Sequence, residues 1–272
     1  MCAKIQHSLD FSSKKVVTLQ PKKIIFSIKG VDITTIYLIL LCIGASFIQR
    51  TTGFGFGIFI MSMLIHLVPS YGEAVTLSGM LALTTSLTIA LRLRKLVVWK
   101  RLLPMLITFI IVSSICIFFL KRIEDVLLRQ ILGVVLILTS IYFAFISKHI
   151  TLKPSPKAQV GTGILSGLMG GFFGMQGPPA VLYFISSEED KQHYMAMTQV
   201  YFVLGNAMMT VVRAQNGFLT STVIHDYFYG LIGVVAGTLL GAFVFNRIPS
   251  RIFRYVVYAY IGISGVMILL GT

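Results

Sequence analysis

Long apolar blocks separated by short polar ones make up nearly the whole of this chain. In the first half they cover residues 33–49, 54–68, 73–91, 102–120 and 126–146. In the second half they cover 159–173, 180–185, 194–212, 225–245 and 252–271. A helix needs about 20 apolar residues to cross a bilayer. Most blocks are therefore predicted to be transmembrane helices, while 54–68 and 180–185 are short enough to be half-helices or re-entrant. The fold class expected is an all-α polytopic membrane protein, with two internal repeats of about four transmembrane helices each plus a short or re-entrant helix per repeat. A basic tail (1–32) precedes the first repeat (33–146), and a polar linker (147–158) leads to the second (159–272).

The repeat is read from matched positions. Gly53 recurs as Gly174 at an offset of 121, and Ala74, Thr76 and Thr88 recur as Ala196, Thr198 and Thr210 at 122. Arg122-Ile123 and Arg129 recur as Arg247-Ile248 and Arg254 at 125. The small drift points to one ancestral unit used twice.

Two stretches interrupt the apolar pattern at matching places: Gly44 to Gly57, GASFIQRTTGFGFG, and Ser166 to Pro179, SGLMGGFFGMQGPP. Irregular backbone at membrane depth is tolerated only where protein or a cavity surrounds it. A matched pair of broken segments in two halves points to a transporter site near the midplane. Glycine admits a ligand close to the backbone, and the first amides of a helix bind anions without a basic side chain. The N–H groups of Gly53, Phe54, Gly55, Gln176 and Gly177 are expected to face one cavity, with Gly174 at the second break. Pro178 suits a first helical turn, where a missing N–H costs nothing. Gln49, Thr51, Thr52, Thr76, Gln199 and Asn206 are candidate hydrogen-bonding groups. Arg50, between two apolar blocks, is the candidate guanidinium for an oxyanion; the plainer reading is an interfacial arginine reaching water.

Composition narrows the class. The chain is 56% hydrophobic and 12% charged, with a formal net charge of +14. A soluble domain carries about 25% charged residues. The basic residues sit in the tail and short loops, so they speak for membrane orientation and not for nucleic acid. Arg92, Arg94, Lys95, Lys100 and Arg101 around Trp99 form the most basic loop. If the block 54–68 does not cross, the tail and this loop share the cytoplasmic side. That gives eight spans, both termini inside, and two halves of the same orientation. No cleavable leader is expected before the first span. Cys2, Cys42 and Cys116 lack metal-ligand spacing and read as packing residues. Gly233, Gly237 and Gly241 form a small-xxx-small face for close helix packing.

The paired Gly-rich stretches resemble those of the sulfite exporter TauE/SafE family of membrane permeases. So do the Ala-x-Thr early in the following span of each half and the Arg-Ile…Arg element before each last span. The resemblance covers about residues 35–271. The second stretch is close to the family pattern, while Gln49-Arg50-Thr51-Thr52 replaces part of the first glycine run and no proline follows it. The resemblance implies a plasma-membrane, multi-pass permease for sulfur-containing anions such as sulfite or organosulfonates. The partners expected are a small anionic substrate and the bilayer, with no nucleic acid, no cofactor and no metal; homo-oligomerisation is left open. The chain is not expected to be an enzyme. A passive channel or scaffold is the alternative, and an intramembrane serine protease using Ser46 and His225 a more remote one.

Overall fold

The structure is a computed structural model that describes residues 27–28, 31–146, 154–188, 190–244 and 250–271. Most of the tail, much of the linker, and Arg247 with Ile248 lie outside the described residues. Ten α-helices are found among the described residues: α1 (Ile33–Thr52), α2 (Phe56–Leu67), α3 (Tyr71–Leu93), α4 (Trp99–Leu120), α5 (Asp125–Ile141), α6 (Pro156–Phe173), α7 (Gly177–Ser187), α8 (Lys191–Gln215), α9 (Ser221–Val244) and α10 (Ser250–Leu270). A two-residue antiparallel pairing of Ser27–Ile28 with Val31–Asp32 precedes α1. The all-α class holds, and six helices among the described residues are long and apolar enough to cross a membrane.

Local chemistry explains the boundaries. Ser70 and Glu73 form a reciprocal capping box that starts α3. Ser155 caps α6, with Pro156 in its first turn. Asp190 caps α8 by accepting the N–H groups of Gln192 and His193. The His193 N–H, followed by its imidazole, holds the Asp190 carboxyl below the usual carboxylate range. Helices α1 and α6 both end on a left-handed glycine, Gly53 at φ 87° and Gly174 at φ 68°. Only glycine adopts that conformation without strain.

Glycine contacts, with one side-chain hydrogen bond, fix the directions of α1, α2, α3 and α9 relative to one another and of α4 relative to α6. Gly44 of α1 lies against Phe59 of α2, and Gly55 against Ile48, so α2 folds straight back along α1. Helix α3 then runs parallel to α1, since Gln49 bonds Ser86 and Gly230 packs on both Cys42 and Leu81. Gly233, Gly237 and Gly241 of α9 meet Ile39, Ile43 and Phe47 of α1 in order, which is the close packing expected of that face. Gly163, Gly167 and Gly171 of α6 meet Met105, Phe109 and Ser113 of α4 in the same way. The most extensive helix contacts are α1 with α9, α4 with α6, α3 with α8 and α5 with α10.

This geometry corrects the expected topology. Helix α2 spans 12 residues, about 18 Å, and Val68 and Ser70 beyond it are extended. Together they carry the chain back to the end where α1 began, so α3 starts there. The loop of Arg92 to Arg101 thus lies at the opposite end of the bundle from Ile33. Helix α4 returns, because Val98 meets Met197 while Lys121 lies near Gly217. Since α6 runs parallel to α4, it runs opposite to α1. The two halves are oppositely oriented, not alike. The charge count failed because it treated the short helix as leaving the chain on one side.

Burial separates the helices by role. Phe56, Ile60, Met61, Leu64 and Ile65 of α2 are fully buried. In contrast, Ile107, Ile111, Ile115 and Phe118 of α4 are exposed at near four-residue spacing. Such a stripe on a helix this apolar faces lipid. The two broken segments sit inside a jacket of lipid-facing helices.

Candidate functional site

The two breaks touch. A Cβ placed on Gly57 would lie 3.3 Å from the carbonyl carbon of Gly174 and closer still to its oxygen. Gly177 packs against Phe54 in the same crossing. Around the crossing is a small cavity of ≈ 30 Å³. Of the sequence-predicted residues, Gln49, Gly55, Gly174, Gln176, Gly177 and Asn206 line it. Phe56, Gly57, Ile58, Ala82, Ser86, Met175 and Phe202 complete it and had not been singled out.

The donors differ in detail from those expected. Gly53 N–H donates to Gln49 O, and Phe54 N–H to Thr52 Oγ1. Gly174 and Met175 N–H close onto Gly170 O and Met169 O. These amides terminate helices and are not available to a ligand. The start of α2 stands differently: Phe56, Gly57 and Ile58 line the cavity, and first-turn N–H groups have no intrahelical partner. Gly177 does the same for α7, where Pro178 and Pro179 bring no N–H.

Amide and hydroxyl groups supplement them. Gln49 Nε2 donates to Ser86 Oγ at 2.6 Å. Ser86 accepts in that bond, which does not use its hydroxyl proton. Ser166 Oγ donates to Gln176 O at 2.6 Å and Tyr201 OH donates to Ser166 Oγ at 2.8 Å, pinning the second break. The Gln176 side chain makes one long contact, 3.5 Å from Nε2 to Phe202 O, and its Oε1 has no partner among the described residues. Gln199 Nε2 donates to Gly53 O at 2.6 Å, so Gln199 buttresses the first break from behind. Thr76 bonds Gly72 O of its own helix. Pro178 is buried in the first turn of α7. Thr51 and Thr52 bond carbonyls of the last turn of α1. With Arg50 and Gly53 they line a separate pocket at the end of the bundle. Arg50 is therefore not in the cavity between the breaks.

The cavity lining carries no charged side chain, but a buried cation stands behind it. Arg213 of α8 is 0% exposed. Its Nη1 donates to Val75 O at 2.9 Å, and its Nη2 to Gly170 O at 2.8 Å. No carboxylate pairs with it among the described residues, and its Nε is unpartnered. The last carbonyls of α6 carry the partial negative charge of a helix C-terminus, which offsets part of the cost of burial. Sequence reading passed over Arg213 as the edge of a span. The available signal was an arginine following a 19-residue apolar block without an acidic neighbour.

The protease constellation is not assembled. Ser46 lies one residue before Phe47, which packs at Gly241, while His225 is near the start of α9 and bonds its neighbour Asp226. The two are about four helical turns apart. Among the described residues no group of acidic, His or Cys side chains is arranged to hold a metal.

No solved structure matches the chain. A protein of Cupriavidus necator described as a probable sulfite/organosulfonate exporter TauE is 25% identical over 209 residues, covering 72% of this chain and 78% of its own. The family model for the sulfite exporter TauE/SafE matches residues 38–268, nearly the entire membrane portion. The chain belongs to the sulfite exporter TauE/SafE family.

Proposed function

We propose that this protein is a plasma-membrane secondary transporter for small sulfur oxyanions, sulfite or organosulfonates, which pass through the cavity between the two breaks. One observation carries the reading: two broken helices cross in van der Waals contact, and the first residues of α2 and α7 line one shared cavity. A sulfonate presents three acceptor oxygens. The amides of Phe56, Gly57, Ile58 and Gly177 and the Ser86 hydroxyl are donors suited to them. Phe56, Met175 and Phe202 suit a short organic group. Arg213 adds a positive field without touching the guest; for an assumed separation of about 8 Å and an effective dielectric near 20, a unit charge contributes on the order of 2 kcal/mol.

The oppositely oriented halves support an inverted repeat, with α1 to α5 matched to α6 to α10. Packing of α1 on α9 and of α4 on α6 is the pair of contacts such a two-fold relation would exchange. Inverted repeats of this kind move by rocking one part against another around a fixed site. The neutral lining offers no intramembrane carboxylate for a proton relay, so a different coupling, or exchange, is favoured.

Counterflow of labelled sulfite into proteoliposomes tests the proposal. Saturable uptake is expected, with Ser86→Ala and Gln176→Leu each reducing it at least about tenfold, the equivalent of one lost hydrogen bond to a charged group. Non-saturable flux would favour a channel. Unaltered uptake in both variants would move the site elsewhere.

A further inference from the structure

A second anion site lies outside the cavity, and its geometry assigns it a different ligand. Arg50 ends α1 and Arg92 ends α3. Because the two helices run parallel, both guanidinium groups reach the same end of the bundle. They line one groove with Thr88, Thr238 and Leu239, bounded by α1, α3 and α9. A Cβ on Gly241 would lie 2.8 Å from Arg50 Cβ. The glycine thus lets the arginine stem cross the face of α9 and reach the groove. Neither arginine has an ion-pair partner among the described residues. Thr238 Oγ1 is buried there without a hydrogen-bond partner among the described residues.

The groove opens sideways. Leu239, on its wall, is 66% exposed, and so is Phe243 one turn further on the same stripe of α9. That stripe faces hydrocarbon. A small hydrated anion gains nothing from an apolar wall open to lipid. A lipid headgroup gains from both parts: its phosphodiester takes two guanidiniums, and its acyl chain lies along α9. We propose that Arg50 and Arg92 form a binding site for the phosphodiester of an anionic phospholipid. Arg50 then serves the bilayer and not the cargo. This site stands apart from the transport reading and survives its failure.

Thermal unfolding of the purified full chain in neutral detergent tests it, with phosphatidylglycerol, phosphatidylcholine or inorganic phosphate added. Phosphatidylglycerol is expected to raise the melting temperature saturably, while phosphatidylcholine and free phosphate do not. R50Q/R92Q should lose that rise and R50K/R92K should keep most of it. If the double glutamine variant does not fold, R92Q alone, altered at an exposed position, should weaken the rise. An equal rise in the glutamine variants overturns the site. A rise with free phosphate equal to that with the lipid makes it an ordinary oxyanion site. No lipid-specific rise in the unaltered protein leaves the arginines as helix-end cations only, and the proposal fails.

Discussion

Gly57→Ala is the sharpest test of the crossing on which the site is built. The new methyl would lie 3.3 Å from Gly174 C and 3.7 Å from Met175 Cα. It would also sit about 1 Å inside the usual C···O distance of about 3.3 Å from the Gly174 carbonyl oxygen. The obstructing atoms are backbone, not the end of a flexible side chain. That backbone is held by the bonds of Gly174 N to Gly170 O at 3.0 Å and Met175 N to Met169 O at 3.1 Å. Overpacking costs about 1–3 kcal/mol where neighbours can yield, and here they yield poorly. The helix preference of alanine over glycine returns about 1 kcal/mol. A net loss of about 2 kcal/mol is expected, with transport reduced because the breaks are forced apart. Gly161→Ala is the matched control: it also lies in a helix, and a Cβ there meets nothing within 4 Å. It should be neutral or slightly stabilising. Thermal unfolding in detergent, followed by counterflow on the same preparations, reads both. If Gly57→Ala melts with Gly161→Ala and transports normally, the two breaks do not touch.

Two further outcomes follow from the same geometry. Arg213→Gln is expected to weaken anion affinity about 30-fold, the equivalent of the roughly 2 kcal/mol field term, whereas Arg213→Lys keeps most of it; equal transport KM in the glutamine variant and the unaltered protein would deny Arg213 that role. Single cysteines at Ile33 and Lys95, in a background lacking the native cysteines, should label from opposite sides of the membrane in oriented vesicles. Labelling of both from one side would restore the topology that the basic loops suggested.

Much of the architecture was already present in the residue pattern. The apolar blocks named the helices because hydrocarbon permits no other structure for a lone spanning segment. The two glycine-rich interruptions named the breaks, and both terminal glycines, Gly53 and Gly174, stand in the left-handed conformation that only they accept cheaply. The spacing of Gly233, Gly237 and Gly241 announced a close helix contact and was silent on the partner, α1. Gln49 and Asn206 stood out because polar side chains in apolar blocks are few, and Gln176 because it is the one amide in the second interruption.

What the pattern could not supply was everything that depends on distant parts of the chain meeting. Whether a 12-residue helix returns or continues is decided by a few backbone angles at Gly53 to Gly55, and no charge count contains them. Those angles set the opposite orientation of the halves and moved Arg50 out of the cavity into a lipid-facing groove. Arg213 looked like a span edge until α8 was laid against Val75 and Gly170, 138 and 43 residues away. Periodicity is a local property and determined the elements; the crossing of two breaks is a property of the packed chain, and only there do the first residues of α2 and α7 come to line one cavity.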